Sequence, residues 1–355
     1  QAVEAPNSYS NFVDALTSNI SGKFVFSSNR QANDFGYSSL YLMRDVMGND
    51  MVAINNNWFS TWYQCGVGLA PIYLNCQYPL TFYYTQIKAC NTVLKLSGEN
   101  PETEELIQGA GLAHCLRGMW YLEIAQMFSQ KTYAADKQAP TAPIIRDNLN
   151  LTEATMNPRA TNEEMYKFIL EDLDDAEKML DGYTRPNKYM PDLSVVYGLK
   201  ARAYLLTEDW ENAEKYAKLA QNGYTIMNEA QYTDRNQGFN NCNSNNAWMF
   251  AMTFKANDAT ITYNDGDNCW GTWMICEFPA GKDTDLGYYN NYGGANYMDR
   301  HLYETIPSTD FRKKCFVDFS LDEMETKEEI VEALKAYSDV PEYVFATGAV
   351  QGAYG

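Results

Sequence analysis

The chain has little with which to hold a metal, bind a phosphate or enter a membrane. Its 355 residues include only two histidines, His114 and His301. Its eight cysteines (Cys65, Cys76, Cys90, Cys115, Cys242, Cys269, Cys276 and Cys315) show no CxxC spacing, so a zinc cage is excluded. They form no recognisable disulfide framework either and most are expected to be buried small hydrophobes, which leaves the redox compartment open. Lys and Arg number 27 against 46 Asp and Glu, a formal charge of −19. That balance excludes nucleic-acid binding, which needs clustered cations, and repels anionic membranes and polyanionic substrates. No run approaches the ~20 apolar residues of a membrane helix. Catalytic signatures are missing too: there is no GxSxG elbow and no HExxH, and Gly281-Lys282 lacks the remainder of a Walker loop. Gln1 stands where Met would start a nascent chain, so a removed targeting segment is expected.

What the chain does have is helical periodicity, then aromatics. Its cleanest pattern lies between Tyr197 and Ala220, two amphipathic helices joined by a short turn. Leu193, Val196, Tyr197, Ala201, Tyr204 and Leu205 recur at helical spacing, which predicts one buried face. Asp209 is placed to cap the second helix, with Trp210, Ala213, Ala217 and Ala220 as its stripe. Ala201, Tyr204, Ala213, Ala217 and Ala220 also fall on tetratricopeptide offsets, although Lys200 stands where that repeat prefers Leu.

Upstream, a short amphipathic segment covers Tyr9–Leu16, and a helix is expected from Phe35 to Gly48. Leu80–Leu96 is read as the next helix, stopped by Gly98, and Pro101 after Asn100 as the start of a long helix through Phe128. Thr161-Asn162-Glu163-Glu164 is a capping box opening a further helix. Ala247–Phe254 reads as a buried strand and Glu328–Tyr337 as one short helix. The fold class is therefore mostly α. A tetratricopeptide-like antiparallel helical bundle carries an irregular, loop-rich, aromatic-rich lobe with few short strands. In one domain spanning 1–355, residues 1–228 form the scaffold, 229–310 the lobe and 311–355 a return segment without its closing helical part.

Aromatics make up 14% of the chain, more than helical scaffolding needs, and many lie outside the helical patterns. The connection 49–79 holds Trp58, Trp62, Tyr73 and Tyr78 beside Asn55, Asn57, Asn75 and Gln77. The segment 263–297 holds Trp270, Trp273, Tyr288, Tyr289 and Tyr292 beside Asn264, Asp265, Asn290 and Asn291. A sugar ring offers an apolar face to a flat aromatic and a rim of hydroxyls to amides and carboxylates. Trp58, Trp62, Tyr73, Asn75, Tyr78, Trp270, Trp273, Tyr288, Tyr289 and Tyr292 are thus the candidate glycan contacts. No cofactor is expected, with Asp265-Gly266-Asp267 as the one conceivable structural calcium loop.

Four places together resemble the SusD/RagB family of surface glycan-binding lipoproteins. They are Asp34-Phe35-Gly36-Tyr37 with Arg44–Val52, and Cys115-Leu116-Arg117-Gly118-Met119-Trp120-Tyr121-Leu122 with Met127-Phe128. The others are Pro158–Thr161 running into Ile169–Leu173 and Ala176, and Tyr303 with Pro307, Ser308, Asp310 and Arg312. The resemblance implies a non-catalytic protein that captures oligosaccharide at the outer-membrane cell surface. It also implies delivery to a SusC-like TonB-dependent transporter, with membrane attachment only through an N-terminal lipid anchor removed from this chain. Two other readings compete: a protein-binding tetratricopeptide scaffold, and a glycoside hydrolase using a pair such as Asp283 and Asp285.

Overall fold

Many of the helices begin where a side chain caps them. A computed structural model describes residues 8–18, 20–21, 36–53, 59–234, 236–252, 296–316, 318–319 and 323–334. In chain order the first helices are α1 (Ser8–Ser18), α2 (Tyr37–Met47), α3 (Ser60–Tyr63), α4 (Leu74–Ser97) and α5 (Glu104–Phe128). Next come α6 (Leu151–Thr155), α7 (Asn162–Met179), α8 (Leu193–Leu206), α9 (Trp210–Ala220) and α10 (Glu229–Thr233). The last are α11 (Arg300–Thr305) and α12 (Lys327–Leu334). The strands are β1 (Met51–Ala53), β2 (Pro140–Pro143), β3 (Arg159–Thr161) and β4 (Asn296–Met298). Antiparallel β1 and β4 pair with Val52 opposite Tyr297, and β2 pairs antiparallel with β3. The fold is mostly helical with few short strands, as the periodicity predicts.

Caps decide the boundaries. The Thr161 hydroxyl accepts from the Glu164 N–H while Glu164 returns a bond to the Thr161 N–H, the capping box expected for α7. Asp209 accepts from the Asn212 N–H to open α9, also as expected. Gly98, at φ 76, ends α4 in the left-handed conformation. α5 corrects the reading, because Thr103 rather than Asn100 supplies the cap and Pro101 stays outside the helix. α4 begins six residues before Leu80, carrying Pro79 in its second turn, where one backbone bond is forfeited. Residues 247–252 form no strand. The Met249 carbonyl, which a ladder would need, instead accepts from the Arg185 guanidinium at 2.5 Å.

The chain divides into two compact units, one of residues 1–20 and 80–253, the other of 21–79 and 254–355. The sequence reading had instead kept 21–79 with the scaffold. In the first unit α5 is the central element, with its run from Gly109 to Ala125 almost wholly buried. Met165, Phe168, Ile169, Leu173 and Ala176 of α7 belong to the same core, as do Phe82, Tyr83, Ile87 and Val93 of α4. In the second unit Leu40, Leu42, Met43 and Val46 of α2 are buried, as are Phe59 and Trp62.

The α8–α9 hairpin turns at Glu208, which adopts φ 60. Its buried faces differ from those expected. On α9 they are Ala213, Tyr216 and Ala220, while Trp210 is 61% exposed and Ala217 exposed. On α8 they are Val195, Val196, Leu199, Lys200 and Ala203, while Leu205 is exposed. Lys200 explains the rotation. Its ammonium lies 2.6 Å from Asp174 and 2.5 Å from Glu177 on α7, and donates to the Tyr216 hydroxyl at 2.8 Å. It also sits 4.2 Å from the Tyr216 ring centroid. A cation thus occupies the apolar position of the repeat and ties three helices together. Burial works to lower the Lys200 pKa, but these partners raise it overall, so the amine stays charged.

Lys200→Ala should therefore lower stability by about 1–3 kcal/mol, below the full loss for a buried pair because Asp174 is half exposed. Circular-dichroism melts check this against Lys218→Ala. Losing that exposed i,i+4 pair with Glu214 should leave the melting temperature nearly unchanged.

Candidate functional site

Motif residues of the first unit meet in one buried network. Arg117, on α5, is 3% exposed and clamps Asp172 of α7 with two bonds, Nε to Oδ2 at 2.8 Å and Nη2 to Oδ1 at 2.7 Å. Its Nη1 donates to Asn91 Oδ1 and to Asp147 Oδ1, each at 2.8 Å. His114 Nδ1 donates to Asp172 Oδ1 at 2.7 Å. The guanidinium also lies 5.2 Å from the Phe168 ring centroid. Burial alone would raise the Asp172 pKa, but Arg117, helped by His114, holds it below the usual carboxylate range. Burial likewise works to lower the Arg117 pKa, and Asp172 and Asp147 raise it overall. The donors here are spent on protein acceptors, so this network positions helices rather than binding a ligand.

The other expected residues divide sharply. Trp62 is 2% exposed and packs 5.8 Å from Phe59, centroid to centroid. Tyr78 is 4% exposed, its hydroxyl 2.8 Å from Ser39 Oγ and donating to the Gly36 carbonyl. Both are core of the second unit and present no ring face to a sugar, which corrects their assignment. Tyr73 is 43% exposed, and Asn75 is part-exposed beside Gly68. Trp58, Trp270, Trp273, Tyr288, Tyr289 and Tyr292 lie outside the described residues, as do Asp265-Gly266-Asp267, Asp283 and Asp285.

Tyr63 is also exposed, at the end of α3, while its neighbour Trp62 is buried. The loop after it folds back on α3. A Cβ at Gly68 would meet Thr61 Cγ2 at 2.5 Å, so only glycine lets the loop approach this closely. The Tyr73 N–H donates to the Ala70 carbonyl, and Gln77 Nε2 to the Pro71 carbonyl. Val67, Ile72 and Leu74 are exposed along the same loop. No Asp, Glu, Lys, Arg or His occurs between Asp50 and Lys88, in a chain that is 21% charged. Missing charge was the sequence signal that could have marked this surface without its structure. What it offers is phenol rings, amides and aliphatic groups.

Cysteines also divide. Cys90 and Cys115 are buried, and burial pushes the Cys90 thiol up to about 12 and raises that of Cys115 as well. Cys65 and Cys315 are exposed, the first in a surface turn and the second at the end of a short 3-10 helix. Among the described residues no group of His, Cys, Asp or Glu is arranged to hold a metal, and no helix is long and apolar enough to cross a membrane.

Asp172→Asn should cost about 3–5 kcal/mol, since it strands a buried guanidinium. Because the folded Asp172 pKa is lowered, its contribution is present above an unfolded value of about 4 and is lost as pH falls through the folded value. Melts of both proteins across acid pH should show the difference in Tm largest near neutrality and shrinking as the medium becomes acidic.

Comparison with known proteins gives this geometry a family. The model of the SusD-like family described as "Starch-binding associating with outer membrane" matches residues 20–205, just over half of the chain. A SusD-like carbohydrate binding protein from Bacteroides vulgatus superposes with TM-score 0.69 at 21% identity, covering 88% of this chain and 60% of its own. A SusD superfamily protein from the same organism gives 0.68 at 18%, covering 88% and 65%. Surface glycan-binding protein A from Bacteroides fluxus gives 0.59 at 16%, covering 87% and 63%. The chain thus spans less than two thirds of the length of each, and at these identities the likeness is one of fold. No curated protein matches. The family match takes in the Arg117 helix, the Asp172 helix that it clamps and the uncharged surface before α4, and on it the chain belongs to the SusD-like family.

Proposed function

We propose that this protein is a non-catalytic binder of neutral glycans, and that the uncharged surface built on Tyr63, Tyr73 and Asn75 contacts the sugar. One observation carries the reading. A strongly acidic chain keeps every charge out of residues 51–87 yet exposes two tyrosines and an amide there. Ring stacking with amide hydrogen bonding suits an uncharged pyranose and offers nothing to a phosphate or sulfate. The finer statement, also proposed, is delivery of bound oligosaccharide to a SusC-like TonB-dependent transporter at the outer-membrane cell surface. Support comes from the family's described association with that membrane. The exposed Leu205, Trp210 and Leu219 of the α8–α9 hairpin also suit a protein partner better than a sugar.

Affinity gel electrophoresis in soluble starch, galactomannan and xyloglucan tests the glycan reading. Retardation in at least one gel is expected, with no turnover of the polysaccharide. Tyr63→Ala with Tyr73→Ala should weaken binding by about 1–3 kcal/mol per ring, the scale of aromatic stacking on a flat ring. Raising ionic strength about tenfold should leave binding unchanged, because residues 51–87 carry no charged group. Retardation that collapses with salt, or survives loss of both rings intact, contradicts the assignment.

A further inference from the structure

A second exposed aromatic lies in the first unit, far along the chain from the first surface. Phe239 is 62% exposed, although two aromatic neighbours are close enough to have covered it. Tyr232 meets it edge-on at 5.2 Å and 90°, and Trp248 does so at 5.5 Å and 81°. Both neighbours stand nearly perpendicular to the phenyl ring and leave most of it exposed. The ring is therefore held without being buried.

The loop beneath the ring is pinned at several points. The Trp248 indole N–H donates to the Gly238 carbonyl at 2.9 Å. Gly238 adopts φ 50, and a Cβ there would come within 2.8 Å of the Tyr232 carbonyl oxygen, so the close turn under Phe239 requires glycine. Lys188 donates to the Cys242 and Asn245 carbonyls, each at 2.7 Å. The same loop carries the exposed Asn236, Asn241 and Asn243. Lys188 and Asp234 are both committed to the unit's own hydrogen bonds, the latter accepting from the Asn236 N–H and from Gln237 Nε2.

We propose that Phe239, framed by Tyr232 and Trp248 on a loop that carries these asparagines, is a second carbohydrate contact that stacks on the apolar face of a neutral pyranose. A protein partner fits poorly, because a stable interface needs about 800 Å² from each side and one ring with a few loop amides offers far less. A pyranose matches the ring in size, and its hydroxyls match the loop's amides. Fixing the ring in advance spares the entropy of ordering it on binding. The proposal rests on the glycan reading above but places a separate contact on the other unit.

The test compares the intact chain, Phe239→Ala, Phe239→Trp and the Tyr63/Tyr73 double alanine variant in gels of soluble starch, galactomannan and xyloglucan. Phe239→Ala should weaken retardation about fivefold to a hundredfold while leaving Tm nearly unchanged, since little of the ring is buried. Phe239→Trp should restore or strengthen it. Retardation unaltered by Phe239→Ala but weakened by the tyrosine variant overturns this proposal and leaves the first surface standing. Weakening by Phe239→Ala alone supports this contact and overturns the first. An intact chain that no gel retards overturns both. Should light scattering show a dimer that only Phe239→Ala dissociates, with retardation unchanged, the ring serves self-association and the proposal fails.

Discussion

Arg117 carries a guanidinium into a helical interior, and every donor it brings must find an acceptor there. Asp172 takes two of its bonds, and Asn91 and Asp147 share another nitrogen. The demand spreads outward. Asn91 also donates to the Ile145 carbonyl, and Tyr121 bonds the Ile145 backbone, so the strand-like 140–147 segment is strapped to α4 and α5 by the same residues that satisfy the arginine. α4, α5, α7 and that connection are held in register by one charge that cannot be left unpaired.

Lys200 repeats this logic at the next helical junction. Asp174, Glu177 and Tyr216 receive its ammonium, so α7, α8 and α9 meet around a second cation. Arg202 adds a third tie, reaching the fully buried Glu123 of α5 at 3.2 Å. The first unit is therefore an apolar bundle stitched by a few ionic contacts between helices. The exposed aromatic surface of the second unit lies in a stretch with no charge at all. Charge ties the helices of the first unit together, whereas the 51–87 stretch of the second unit exposes only neutral groups.

Much of this was legible in the sequence. Capping residues such as Thr161 and Asp209 announced their helices because a cap is a local bond between near neighbours, readable without tertiary context. The family motifs were legible for the same reason that they matter, since Arg117 and Asp172 are charged residues of two separate motifs and prove to be partners. The face of α8 was read less well: its spacing placed Leu205 inward, and only the carboxylates of α7 reveal why Lys200 belongs inside. Trp62 and Tyr63 show the limit on the site. Adjacent aromatics in a four-residue helix give no period from which to tell the buried ring from the exposed one. Tyr78 misled similarly, because its hydroxyl is satisfied inside the protein by Ser39 rather than by a ligand.

Hydrogen exchange of the full chain, with and without a retarding polysaccharide, tests the central claim most directly. Added glycan should slow exchange in the loop between α3 and α4, around Tyr63–Gln77, and leave the Arg117 and Lys200 junctions unchanged. Slowed exchange confined to the α8–α9 hairpin, or none in the uncharged loop, would contradict the assignment of recognition to that surface.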